Sequence, residues 1–199
     1  MQLTLPDTEM RLRIEDGRPM DDEQHFEFCQ MNRTVRIERE ANGEIVLMPL
    51  PGFITSHRGC EAISQFGAWA KRDGRGFSLA SCGFFLPDGA MRGPHISWVF
   101  KSRLANLTKW QKQRFLPLCP DFVIELISPF DRLNKVKAKM LEWIDNGAAL
   151  CWLIDADRRT VYIFRPGKEP EQLVGLDHVD GEGPVEGFRL ELSDIWQEL

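Results

Sequence analysis

Glu125 stands in the middle of the run FVIELI, residues 122–127, in which every other side chain is apolar. A carboxylate in such a run loses its water unless it pairs with a cation or faces a site, a metal or a partner. On a strand, Val123 and Ile127 share its face, and Ile124 and Leu126 take the other. Glu125 is therefore either a core glutamate satisfied by Arg or Lys, or a functional acid. Desolvation disfavours its charge, so without a metal its pKa is expected to be raised. Glu38, in RIERE, is a second acid, and as a strand glutamate it also reads as a simple exposed residue. Lys139 follows on the helix after the Glu125 strand, four residues beyond Lys135, where lysines are ordinarily solvated. Carboxylates can hold a hard cation or move a proton, and an ammonium can stabilise developing negative charge. Patterns for other chemistries are missing: no GxSxG, P-loop, GxGxxG or HExxH occurs.

Positioning these residues requires a particular set of elements. Residues 21–30 predict a helix with acids in its first turn. Residues 34–40 and 44–48 read as a hairpin closed by Asn42-Gly43. Ser56 reads as the N-cap of a helix reaching Asp73-Gly74. Short strands follow at 77–80, 83–86 and 95–100, then a short basic helix at 109–115. Residues 122–127 are apolar enough for a strand covered on both faces. Asp131 or Asn134 opens a helix to about Asp145, and 150–154 is a second buried strand, with 160–164 pairing back on it and a short helix at 193–198. The strand–helix–strand unit over 122–154 predicts an α+β (mixed α/β) fold, a mixed β-sheet flanked by helices. Residues 1–20 read as an N-terminal arm and 21–199 as a single domain.

The 199 residues carry 43% hydrophobic and 28% charged side chains, an ordinary globular composition. No apolar run reaches the ~18 residues that span a membrane, and no basic stretch followed by an apolar one marks a secretion signal. Five widely spaced cysteines without a CxxC read as reduced thiols of a cytoplasmic protein. The net charge of −5 is uneven: residues 101–139 hold nine Lys and Arg against three Asp and Glu. That segment is either a solvated basic surface or a face for a polyanion such as DNA.

The segments RIEREANGEIVLMPLPG, FFLPDGAMRGP and RGPHISWVF, the long run from 115 to 166 containing DFVIELISPFDRLNKVKAKMLEW, and the ending VEGFRLELSDIW together closely resemble a large bacterial family of restriction-endonuclease-like proteins. That family belongs to the PD-(D/E)XK nuclease superfamily, and the resemblance spans residues 25–196. It implies a restriction-endonuclease-like core and metal-dependent hydrolysis of DNA phosphodiesters, with Mg²⁺ or Mn²⁺ as cofactor. It places the family's glutamate at Glu38 and its second carboxylate, a metal ligand, at Glu125. Ile127 stands where a lysine is usual, and the family's substitute lysine, from the next helix, falls at Lys139.

The resemblance breaks at one position. The family's Pro-Asp is Pro94-His95 here. Carboxylates suit Mg²⁺, a hard ion that prefers oxygen, whereas imidazole suits zinc, manganese or nickel. His95 in the ligand position also removes one negative charge. Asp88, in the LPDG turn, is not expected to replace the missing acid. Two readings follow: a degenerate nuclease with little Mg²⁺-dependent cleavage, or one retuned to a softer metal held by His95 and Glu125. Alternatives to a nuclease are a catalytically inactive member of the fold that binds nucleic acid or protein, and a self-associating structural protein. A two-fold homodimer is expected of a protein that cuts both strands.

Overall fold

The computed structural model describes residues 10–12 and 19–197. In chain order its elements are β1 (Met10–Leu12), α1 (Asp22–Met31), β2 (Arg36–Arg39), β3 (Ile45–Met48), α2 (Phe53–Asp73), β4 (Gly76–Ala80), β5 (Phe84–Phe85), β6 (Met91–Arg92) and β7 (Ile96–Phe100). There follow α3 (Lys101–Leu104), α4 (Lys109–Lys112), β8 (Phe122–Leu126), α5 (Leu133–Asp145), β9 (Leu150–Asp155), β10 (Thr160–Phe164), β11 (Glu171–Val174), β12 (His178–Asp180), β13 (Arg189–Glu191) and α6 (Ser193–Trp196). The larger sheet has the order β11-β10-β9-β8-β7-β4. Only β8 and β9 run parallel in it, with Glu125 opposite Leu153, because α5 carries the chain across between them.

Alternation along the strands divides the core in two. Ile124, Leu126, Trp152 and Ile154 pack under α2, through Phe66 and Trp69, and under the C-terminal residues Phe188 and Trp196. Val123, Cys151 and Leu153 face α5, through Met140 and Trp143, together with Phe84 and Leu116. Glu125 shares the α5 face with Val123, so the helix that covers the strand is also the helix that can answer its charge.

A second, antiparallel sheet, β1-β3-β2-β6-β5, lies beside this core and contributes the other side of the site. Its β2–β3 hairpin turns at Asn42-Gly43, where Gly43 takes a φ of 85°. From the expected arm, Met10–Leu12 pairs with β3 as an edge strand; residues 1–9 and 13–18 lie outside the described residues. The long helix α2 begins three residues earlier than Ser56. Gly52, at its N-cap, follows Pro51 directly, so the break in the extended chain and the helix start coincide. Its end is as read: Gly74 caps it with a φ of 72°. α5 starts at Leu133 without a side-chain cap, from neither Asp131 nor Asn134. All five cysteines are free. Among the described residues, no helix is long and apolar enough to cross a membrane.

Candidate active site

Four elements bring Glu38, His95, Glu125 and Lys139 into one cleft of about 400 Å³. β2 supplies Glu38 and β8 supplies Glu125. The residue just before β7 is His95, and the middle of α5 carries Lys139. Register explains the meeting of His95 and Glu125: Ile96 pairs with Ile124, so the residues flanking that pair come together at the same sheet end. On α5, Lys139 precedes the buried Met140 and lies one helical turn before Trp143, which hold that part of the helix against the sheet.

Glu38 is 4% exposed and Glu125 3% exposed. The expectation of an exposed strand glutamate at Glu38 is therefore corrected: β6 and α5 cover it. Lys139 Nζ lies 2.8 Å from Glu38 Oε1 and 3.0 Å from Glu125 Oε1. The second contact is off the hydrogen-bond direction, so Oε1 of Glu125 is compensated in charge yet accepts no directed bond. Its Oε2 receives the His95 backbone N–H at 3.2 Å and is also paired with His95 Nδ1. An ionised carboxylate has no proton to give, so Nδ1 is the donor, and in the neutral ring Nε2 keeps its lone pair.

The expectation of a raised pKa for Glu125 is overturned. Burial does push its carboxyl up, but the Lys139 ammonium and the His95 imidazole more than reverse this, and the group is held well below the usual carboxylate range. Glu38 is also depressed: burial raises it, and Lys139, Arg36 and Arg92 together outweigh that. Lys139 is shifted upward; burial lowers it, and Glu125 and Glu38 more than restore it. The site is a set of mutually stabilised charges rather than a protonated acid awaiting a cation.

Two basic residues that sequence reasoning missed complete the frame. Arg92 is buried, donates to Glu142 from Nε and Nη2 at 2.7 Å each, and also pairs with Glu40. Its Nη1 is 3.6 Å from Glu38 Oε2. Arg36 donates to the Gly93 carbonyl and lies 3.8 Å from Glu38 Oε1, which in turn accepts from Gly93 N–H at 3.0 Å. The signal for Arg92 was a basic residue two before the Pro94-His95 step. Asp88 does not replace an active-site acid: its carboxylate accepts from Ala90 N at 2.8 Å, within its own turn, and from Asn146 Nδ2, at the C-terminal end of α5, at 2.9 Å.

The basic side chains of the segment 101–139 do not all reach the cleft. α3 leaves β7 at Phe100, the opposite end of that strand from His95. Arg103 is committed to Asp121 and the Cys119 carbonyl, and Arg114 to Glu23. Only its C-terminal part, on α5, reaches the cleft, through Lys135 and Lys139.

The donor set tests the divalent metal that the resemblance implies. Mg²⁺ requires several oxygens in near-octahedral arrangement. Here both glutamates are bridged by an ammonium, and the other oxygen of Glu125 is held by His95. Among the described residues no group of three or more His, Cys, Asp or Glu is arranged to hold a metal. These residues do not fit a Mg²⁺ centre.

Comparison with known proteins agrees with this fold. A family model, Uma2, described as "Putative restriction endonuclease", matches residues 22–193. No curated protein matches the chain. Among solved structures, a "putative nuclease belonging to DUF820" from Anabaena variabilis superposes with a TM-score of 0.69 at 24% identity, over 80% of this chain and 89% of that one. That likeness establishes a shared fold.

Proposed function

The chain belongs to the Uma2 family, of restriction-endonuclease type, and from that we propose that its cleft engages the phosphodiester backbone of DNA through Glu38, Glu125, Lys139 and His95, with Mg²⁺-dependent cleavage lost or strongly reduced by His95. The observation that supports this is the convergence of those four side chains, from four separate elements, on two carboxylates almost closed to solvent.

Each residue has a part in that reading. Lys139 is the cation a phosphate oxygen would meet. Glu38 and Glu125 fix its ammonium from two sides. Glu125 also fixes the His95 ring, and Arg92 and Gly93 hold Glu38 in place. Replacing the ligand carboxylate with imidazole takes away both a hard oxygen and a negative charge, and these are the properties by which a site retains Mg²⁺. Five free thiols suit a reducing cytoplasm, and a two-fold dimer would bring two clefts to two strands.

One observation favours a second reading, in which cleavage survives with a softer ion on His95 and Glu125. Oε1 of Glu125 accepts no directed hydrogen bond, and Nε2 of His95 has no partner among the described residues. Imidazole ligates manganese, nickel and zinc.

A plasmid assay with EDTA, Mg²⁺, Mn²⁺, Ni²⁺ or Zn²⁺, run beside a DNA-binding measurement, separates these. Binding without Mg²⁺-driven nicking is the expected result. Cleavage in a softer ion alone, abolished in Glu125→Ala, selects the second reading. Mg²⁺-driven cleavage that depends on Glu125 overturns the first. Failure to bind DNA under any condition overturns both.

A further inference from the structure

The cleft is of small-molecule size, about 400 Å³, and its two glutamates lie at its buried floor. Among the described residues five Arg and Lys and five Asp and Glu line it, together with His95, so its formal charge is near zero and draws in a rigid polyanion little. A phosphate in a stacked duplex is held on a wide, rigid rod. A nucleotide freed from its stack is not, and the cost of freeing it is least when the strand is already single.

What stands around the cleft completes the argument. β8 and β9 are parallel, with Leu126 opposite Ile154, so the segments after them leave the sheet at the same end. Phe130 lies in the first of these segments, next to the cleft-lining Asp131, and is 71% exposed. Asp157 lies in the second and pairs with Arg58 of α2 at 2.9 Å, which brings the start of α2 to this end. There Phe53 is 76% exposed, and its ring lies parallel to His57, 6.1 Å between centroids and 10° between planes. His95 enters β7 at this same end. Two solvated aromatic side chains therefore stand at this sheet end, Phe130 next to the cleft wall and Phe53, on the α2 layer, five residues after the cleft-lining Met48. An exposed ring costs free energy in water until something covers it, and every nucleobase has a face that can do so.

We propose that this protein takes single-stranded DNA, with unpaired bases stacking on Phe130 and Phe53 while the backbone between them enters the cleft. The proposal rests on the DNA reading above and narrows it to one form of DNA. Affinity comes from stacking more than from phosphate charge, and it tolerates sequence, because stacking does not read base edges.

The test is fluorescence anisotropy on the full chain, using one labelled oligonucleotide alone and annealed to its complement. The single strand is expected to bind at least about tenfold tighter than the duplex. Phe130→Ala should weaken single-strand binding by at least about fivefold, the lower end of one stacked base, and Phe130→Trp should restore it. Both aromatic side chains are largely exposed, so the alanine variants should keep the wild-type thermal midpoint. Duplex binding equal to or tighter than single-strand binding overturns this proposal while sparing the DNA reading. Unchanged affinity in both Phe130→Ala and Phe53→Ala also overturns it. A dimer that these substitutions dissociate, with DNA affinity intact, assigns the aromatics to a second copy of the chain and overturns it too. No binding to either form removes this proposal together with the reading beneath it.

Discussion

Lys139 and Glu38 are 101 residues apart in sequence and 2.8 Å apart in space, Nζ to Oε1, with Glu125 at 3.0 Å on the other side of the same ammonium. One lysine thus answers two buried carboxylates, each from a different sheet. That arrangement ties α5 to both sheets and makes Lys139 the one cation in direct contact with both carboxylates among the described residues.

Lys139→Met should therefore destabilise the protein by about 3 kcal/mol at neutral pH, because it removes the cation that two buried anions share and leaves Glu125 to His95 and Glu38 to Arg36 and Arg92. The loss should shrink in acid. Glu38 and Glu125 are depressed in the native wild type, so they contribute stability above the ordinary carboxylate pKa and lose it as pH falls through their folded values. Without Lys139 only His95, Arg36 and Arg92 remain to depress them, so part of that contribution is missing from the start. Urea unfolding at pH 7 and at a pH well below the ordinary carboxylate value of about 4.3 measures both; an equal loss at the two values would show that the pair is not the cause.

Arg92 is the point where the smaller sheet and α5 depend on one charge. Arg92→Met leaves Glu142, Glu40 and Glu38 facing each other without their shared guanidinium. A loss of about 3 kcal/mol is expected, and Arg92→Lys should recover only part of it, since an ammonium cannot donate as a two-pronged fork. Denaturant midpoints of the two variants check this. Full recovery by lysine would mean that charge alone matters here.

His25 gives the protein a separate acid sensitivity, remote from the cleft. It is fully buried, and its pKa is lowered to about 4, first by burial and then by Arg39. The unfolded chain takes up this proton near pH 6.5 and the folded chain only near 4, so the unfolded state binds more protons between those values. Stability should fall as pH drops from 6.5 toward 4, by up to about 3 kcal/mol. His25→Leu should flatten that part of the curve. A stability profile whose slope in this window is unchanged in the variant would assign the acid response elsewhere.

Much of this frame was legible in the chain because it rests on local patterns. The strand period in FVIELI placed Glu125 on one face with Val123 and apart from Ile124 and Leu126, and Asn42-Gly43 set the hairpin that carries Glu38. The sign of Glu125's pKa shift was not legible. It depends on Lys139 and His95, and neither the register of β7 on β8 nor the rotation of α5 is written in any one segment. That the two ends of the basic segment 101–139 lie at opposite ends of the sheet was not legible for the same reason. Charge density counts residues along the chain, whereas β7 sends α3 away from the cleft and α5 returns to it.

That division makes its own prediction. Charge reversal at Lys109 and Lys112, on α4, should leave DNA affinity at the cleft unchanged. Lys135→Glu, on the cleft wall, should weaken it and reduce the salt slope by about 1. Binding titrations at several salt concentrations distinguish the two. A large loss on reversing Lys109 and Lys112 would move the polyanion surface from the cleft to α4.

The last prediction concerns His95 itself. Its Nδ1 occupies Oε2 of Glu125, and its backbone N–H is bound to the same oxygen. In His95→Asp the backbone bond is retained, but the ring is replaced by a carboxylate that cannot donate to Glu125. Two acids then face each other at the end of β8, with only Lys139 between Glu125 and Glu38, and like charges at that range favour uptake of a cation. Hard oxygens and an added negative charge suit Mg²⁺, as imidazole does not. Calorimetry should show weak or no Mg²⁺ binding by the wild type and measurable binding by His95→Asp. The variant should also be the less stable protein when Mg²⁺ is withheld, and should regain stability as Mg²⁺ is added, because the ion binds only the folded state. Thermal midpoints with and without Mg²⁺ read this independently of any cleavage. If the wild type binds Mg²⁺ as tightly as His95→Asp does, the imidazole is not what sets the metal preference, and the reading of a degenerate site fails.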